Sequence, residues 1–417
     1  MFIIAYILTK VTVTLIAGGL LLEKVFGFDM YISAIIMVVF TGVYSIIGGL
    51  RAVMYTSMVQ AFFLIGGAAL LTVLGLNAVG GWSGLHDKLP DSYFTFFNPI
   101  SDPDFPWTGI LFGAPILAIW YWCTDHYIVQ RVLSAKDINA ARSGSIFAGF
   151  LKILPVFILV VPGLVAAVLF PEVSGDEAYP TLVASSILPI GIKGLVIAGF
   201  LAALMSSLAS TFNTTATIFA LDFYGHYHPN ASERKLVLVG RLATTIMVVT
   251  AILWIPLTKI VSTHMYVYLQ SVQAYISPPI VAVFLMGIFW KGAKARAAIW
   301  ALMIGGILGG FRLILELVNP QFIYNIPVLA WFIEMNFLHF AIFLFGVCML
   351  TIIVISLFQK ITVSDKIQQF IFKWNYVLKT QIVNENVMQC EHINRVNWMF
   401  SATLLVVLIG LITGFMN

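Results

Sequence analysis

Ala202-Ala203-Leu204-Met205-Ser206-Ser207-Leu208-Ala209-Ser210-Thr211-Phe212-Asn213-Thr214-Thr215 lies inside an apolar stretch near 190–221. Small residues and hydroxyls recur in it three and four positions apart, a spacing that gathers them on one face of a helix. Such a face lets helices approach closely and hydrogen-bond across their interface within a bilayer. The whole chain has the same character. Of its 417 residues, 60% are hydrophobic and 10% charged, and the mean hydropathy is +0.99. A soluble globular domain is about half apolar and about a quarter charged, so a water-soluble enzyme is excluded.

Eleven apolar stretches are long enough to cross a bilayer: near 2–22, 29–48, 55–79, 107–129, 144–170, 190–221, 236–257, 265–290, 298–318, 336–358 and 397–416. They are continuous runs rather than the short alternating segments of a membrane β-barrel. The chain therefore reads as an all-α polytopic membrane protein of about eleven transmembrane helices. Residues 1–417 form a single transmembrane domain, with a polar connection at 359–395. No cleavable signal peptide is expected, since Lys10 sits inside the first run and no charged leader precedes it. Cys123, Cys348 and Cys390 have no paired spacing, so neither a disulfide framework nor a metal-binding cluster is implied.

Positive charge sets the orientation. Loops after the even-numbered spans hold Arg51, then Arg131, Lys136 and Arg142, then Arg234 and Lys235, then Lys291, Lys294 and Arg296, and finally Lys360, Lys366, Lys373, Lys379 and Arg395. The alternate loops hold only Lys24, Lys88, Lys193 and Lys259, among acids such as Asp87, Asp102 and Glu172. The rule that cytoplasmic loops carry the excess of lysine and arginine places 359–395 inside the cell and the C-terminus outside.

Four cations remain. Arg241 and Arg312 lie near span ends and can extend their heads to the interface. Lys10 and Lys152 lie deeper, where an ammonium costs about 2.5–3.5 kcal/mol, so each is expected to face the bundle or a wet cavity. The same holds for Asp125. The adjacent His126 reads as a satisfied hydrogen-bonder rather than a proton carrier.

Pro278-Pro279 follows the polar run Gln270-Ser271-Val272-Gln273 in the eighth span. Two consecutive prolines remove two backbone donors. The result is either a simple kink or an unwound segment whose freed groups face a solute. The hydroxyl-rich sixth span has two readings as well: close packing, or a site for a hard monovalent cation that takes oxygen ligands.

Several blocks carry a family resemblance. They are Tyr44-Ser-Ile-Ile-Gly-Gly-Leu-Arg-Ala-Val-Met-Tyr-Thr56, Trp120-Tyr-Trp-Cys-Thr-Asp125 with Ile128-Val-Gln-Arg131, Gly149-Phe-Leu-Lys-Ile-Leu-Pro155, Met205-Ser-Ser-Leu-Ala-Ser210, Tyr268-Leu-Gln-Ser271 and Pro278-Pro-Ile-Val-Ala-Val-Phe284. In order and spacing the chain resembles the sodium/solute symporter family, most of all its sodium/glucose cotransporter branch. The resemblance implies a LeuT-type inverted-repeat fold, with the eleven spans matching the last eleven of fourteen. The first three spans of the pattern, which supply part of both sites, are then expected to be missing.

The resemblance implies a sodium site at the Ala203 carbonyl and the Ser206 and Ser207 hydroxyls. It also implies sugar contacts at Trp122, Lys152 and Gln270, with Tyr121 as an aromatic gate. Hydrogen-bonding side chains suit ring hydroxyls, and aromatic faces suit the C–H side of a pyranose. Each residue has a plainer reading: a buried ion pair for Lys152, an interhelical hydrogen bond for Gln270, and helix packing for Tyr121 and Trp122. The chain also departs from the family pattern. Ser57 and Ala209 stand where two-sodium relatives carry an aspartate and a threonine, Ala118 replaces a polar residue, and Thr14 replaces an aspartate.

The expectation is a sodium-coupled symporter in the plasma or inner membrane, importing a hexose or similar neutral polyol by alternating access. Its partners would be sodium as coupling ion, the solute and the lipid bilayer, with no other cofactor. Myo-inositol, a monocarboxylate, or a sensor or channel that binds sugar without coupled uptake are the alternatives. No His-Glu-x-x-His pair, Gly-x-Ser-x-Gly elbow or phosphate loop points to an enzyme. Basic residues without aromatic interleaving give no nucleic-acid surface.

Overall fold

A computed structural model describes residues 2–95, 97–173, 175–255, 265–318, 325–359 and 387–416. Most of the polar connection at 359–395 therefore lies outside the described residues. Ten helices among those described are long and apolar enough to cross a membrane. One of them, Met30–Val79, has 50 residues. At 1.5 Å per residue it measures about 75 Å, more than twice the hydrocarbon thickness. It breaks at Gly49, where φ is 58° and ψ is −159°. Only glycine tolerates that conformation without strain. The long helix is thus two lengths joined at a glycine, each long enough to cross, which makes eleven such segments among the described residues.

The helices gather into two compact units, one holding 3–94 and 151–269 and the other 95–150 and 270–417. In the first unit, the Met30–Val79 helix packs along Ile190–Thr217 and Glu233–Trp254. Glycines set the spacing. A Cβ on Gly199 would meet the Phe63 carbonyl oxygen at 2.5 Å, and one on Gly67 would meet the Val196 Cα at 3.0 Å. Backbone lies against backbone there, as small residues permit. The core beside it includes Val11, Leu15, Val38, Leu208 and Phe212.

In the second unit the helix Met265–Phe289 continues through both prolines. Of the two readings of Pro278-Pro279, the unwound one fails, and the neighbouring helix Ala295–Val318 gives the reason. Pro279 deprives the Tyr275 carbonyl of its intrahelical donor. A Cβ on Gly309 would lie 2.3 Å from that same carbonyl oxygen, and one on Gly305 would lie 2.3 Å from the Pro279 ring. Two glycines one turn apart receive the ring and the freed carbonyl, so the helix need not open.

The same unit corrects the reading of Arg312. Its side chain does not extend to the interface: the residue is 2% exposed. Its guanidinium donates to Glu316 at 2.9 Å, to the Phe332 carbonyl at 2.9 Å, to Ile333 at 3.1 Å and to Met335. The three carbonyls close the C-terminal end of the helix Pro327–Glu334, where a cation is favoured. The Tyr275 hydroxyl donates to the same Glu316 oxygen. Arg312 also lies over the Phe340 and Tyr275 rings, at 4.5 and 5.1 Å.

Arg312→Met should leave three carbonyls without their donor and Glu316 with the Tyr275 hydroxyl but no cation, lowering stability by about 3 kcal/mol. Thermal unfolding in detergent measures it. Arg312→Lys keeps the charge without the planar fork and should recover only part of the loss. A midpoint unchanged in Arg312→Met would reduce the cluster to incidental contact.

Candidate functional site

Ala203, Ser206 and Ser207 sit in the middle of the unbroken helix Ile190–Thr217, on one face, and all three are partly buried. The Ser206 hydroxyl is 2.6 Å from the Ser57 hydroxyl. Tyr44 donates to the Met205 carbonyl at 3.0 Å, and Thr211 donates to the Ser207 carbonyl at 2.9 Å. The Gly199–Phe63 contact two turns earlier holds the two helices close enough for the serines to meet. The oxygen-only donor set suits a hard monovalent cation without adding a buried charge. Below it, Ala209 and Ser210 are fully buried.

The contact between Ser57 and Ser206 escaped sequence reading. Ser57 stood out only as a departure from the family pattern, and nothing local paired it with a residue 149 positions away.

Tyr121 and Trp122 lie in a π-helical turn, Trp120–Thr124, that interrupts the fourth span. Their rings meet edge to face at 5.7 Å. The Asp125 amide reaches back to the Trp120 carbonyl at 2.8 Å, and the Thr124 hydroxyl donates to the same carbonyl at 2.8 Å. Asp125 is buried, and its carboxylate accepts from the Tyr127 amide at 3.1 Å, capping His126–Leu133. Its depth thus has a structural reason. The expectation for His126 is corrected: its buried Nε2 has no hydrogen-bond partner among the described residues.

Lys152 lies in a turn between Leu151 and the Val156–Val160 π-helix, and it is exposed. Thr72 steadies the following turn by donating to the Phe157 carbonyl at 3.0 Å. Gln270 is half-buried on Met265–Phe289. Lys152 belongs to the first unit, and Tyr121, Trp122 and Gln270 to the second. The pairs placed in contact within a unit are Ser57 with Ser206 and Tyr121 with Trp122. Lys10, in the first span, holds its ammonium 4.7 Å from the Tyr6 ring.

The family model for the sodium:solute symporters matches residues 1–305. The chain belongs to the sodium:solute symporter family. Over 409 residues it is 38% identical to sodium/glucose cotransporter 4 of Mus musculus, covering 88% of this chain and 59% of that one. Over 401 residues it is 37% identical to sodium/myo-inositol cotransporter 2 of Homo sapiens, covering 86% and 59%. A sodium/mannose cotransporter of Bos taurus is 39% identical over 351 residues, covering 75% and 58%. The chain thus spans about three-fifths of the length of these relatives. A solved Na+-coupled sialic acid symporter, in a substrate-bound outward-open state, superposes with a TM-score of 0.67 at 20% identity, over 86% of this chain and 73% of that one. That likeness places the chain in the LeuT-type fold. It is a multi-pass membrane protein of a transporter family, not an enzyme.

Proposed function

We propose that the chain works as a sodium-coupled symporter for a neutral polyhydroxylated solute, a hexose or similar polyol, moved by alternating access. The hydroxyl face of Ala203, Ser206 and Ser207 carries this reading. It offers a small cation only neutral oxygen ligands, at a position fixed by glycine-mediated packing. The relatives, which are named for glucose, myo-inositol and mannose, support a polyol over a monocarboxylate. In this reading Lys152 and Gln270 contact solute hydroxyls, and Tyr121 and Trp122 cover its apolar face. An anionic solute would need more cations than Lys152 alone.

Sodium is the cargo that drives uptake, and the proposed ratio is one per solute. A second sodium needs an opposite charge nearby, because a bare cation in a partly buried cavity faces an uncompensated desolvation cost. Ser57 is neutral and its hydroxyl is paired with Ser206, while Ala209 has no hydroxyl to offer.

In proteoliposomes, Ser207→Ala should raise the sodium concentration needed for half-maximal uptake, with folding little changed because alanine favours the helix. Reversal potentials on the parent should give one sodium per solute. Parental sodium dependence in Ser207→Ala would reduce the serine pair to helix packing, and a ratio of two would remove the stoichiometric argument.

Gln270→Ala and Lys152→Ala should each weaken solute binding by about 1–3 kcal/mol, with a smaller change in sodium affinity measured without solute. Two variants that bind solute like the parent would displace the proposed solute site.

The excess of lysine and arginine on the loops after even-numbered spans supports a C-terminus outside the cytoplasm. A topology reporter fused after Asn417 should therefore read as external, and a cytoplasmic signal would reverse the orientation.

A further inference from the structure

Thr72, on the Met30–Val79 helix, and the segment that carries Lys152 both belong to the first unit. Thr72 is 8% exposed, and its hydroxyl stands 3.0 Å from the Phe157 carbonyl. One turn further along the same helix, a Cβ on Gly75 would meet the Val165 side chain at 3.1 Å. We propose that Thr72 is a positioning residue for Lys152 and, through it, for solute affinity. The inference rests on the reading of Lys152 as a solute contact.

Two prolines disrupt the hydrogen bonds of this segment. Pro155 has no N–H to give the Leu151 carbonyl, and the Val156 amide turns back to the Ile153 carbonyl at 3.2 Å. Lys152 lies at the start of that turn. Further along, the Val161 amide donates to the Val156 carbonyl, five residues back, in the register of a π-helix. Phe157 thereby loses its α-helical donor. Its π-helical donor would be residue 162, which is proline. Neither register brings an N–H to the Phe157 carbonyl, and Thr72 supplies the missing proton from another helix.

The Thr72 hydroxyl has a second acceptor within reach, the Ala68 carbonyl at 2.9 Å on its own helix. That carbonyl lies in a regular stretch of helix, where the amide four residues on already serves it. The Phe157 carbonyl has no such donor, and an unmatched carbonyl is costly in hydrocarbon. The proton therefore gains more at Phe157. The Thr72 bond and the Gly75 contact together anchor the segment against the Met30–Val79 helix.

Anchoring matters for a lysine in particular. Its ammonium sits on a flexible four-carbon stem, and whatever must be ordered when a solute arrives is subtracted from the affinity. A turn with an interrupted helical ladder adds backbone freedom to that cost. Fixing Phe157, five residues on, removes part of it before the solute binds. With its hydroxyl already engaged and its side chain buried, Thr72 acts through the backbone rather than by touching the solute.

The test measures sodium-driven uptake by the full chain in proteoliposomes, with D-glucose, D-mannose and myo-inositol as probes. Thr72→Val keeps the branched shape and removes the hydroxyl. It should raise the half-saturating concentration of the transported probe about fivefold, the effect of one ordinary hydrogen bond. The maximal rate and the sodium half-saturation should stay as in the parent. Thr72→Ser keeps the donor and should match the parent throughout. In a Lys152→Ala background, Thr72→Val should add nothing, because two residues acting through one contact are not additive. If Thr72→Val does not fold, Thr72→Ala takes its place under the same criteria. A parental value in Thr72→Val, a raised one in Thr72→Ser, or an equal rise with and without Lys152 would overturn the positioning role alone. Parental affinity in Lys152→Ala would instead overturn the solute contact, and uptake of none of the probes the symporter reading; the inference falls with either.

Discussion

Hydrocarbon offers the backbone no water, and every departure from the α-helical ladder must be answered by another part of the protein. This constraint organises the chain. Where Pro279 releases the Tyr275 carbonyl, Gly309 brings a second backbone against it. Where the Val156–Val160 π-turn leaves a carbonyl outside the ordinary ladder, Thr72 donates to Phe157. Where the fourth span breaks after Trp120, the Thr124 hydroxyl and the Asp125 amide both return to the Trp120 carbonyl. Irregular backbone survives at these points because a donor or a close-packed glycine was positioned beforehand.

Charge obeys a related rule with a larger penalty. Arg312 is tolerated at 2% exposure because its fork is filled by Glu316 and by three carbonyls at a helix end. The guanidinium is also less strongly hydrated than an ammonium, and it stacks on aromatic rings, as it does on Phe340 and Tyr275. The cluster ties Tyr275, on the helix that carries Gln270, to the two helices that follow. A polar residue proposed to meet solute is thereby mounted on a rigid element rather than on a loop.

The sequence made some of this legible and hid the rest, for reasons of range. A crossing is a local property of about 20 residues, so all eleven could be read, including the pair that the structure joins at Gly49. The serine face of the sixth span was likewise visible, because helical spacing is local. The partner of Ser206 was not, since Ser57 is reached only through the tertiary packing of Gly67 and Gly199. Arg312 was misread for a different reason. Its partners are mostly backbone carbonyls, which carry no residue identity, so nearness to a span end suggested an interfacial head. The two prolines signalled a disturbance correctly, but whether it opened the helix depended on Gly305 and Gly309, one helix further on.

The contact between Ser57 and Ser206 links the family departure to the proposed cation site. An aspartate at position 57 would put a formal negative charge one hydrogen bond from a proposed sodium ligand, in a setting where charges are weakly screened. It would lower the cost of holding cationic charge nearby. Serine supplies only a dipole. Of the two hydroxyls, one donates and the other accepts, so the pair is satisfied without any ion. A sodium bound at Ser206 and Ser207 would then be stabilised by neutral oxygens alone, with the Ser206 hydroxyl turning its proton toward Ser57 so that its lone pairs face the ion. Neutral ligands hold a monovalent ion less tightly than a carboxylate would, which suits the proposed role, since a coupling ion has to be released in each cycle of transport.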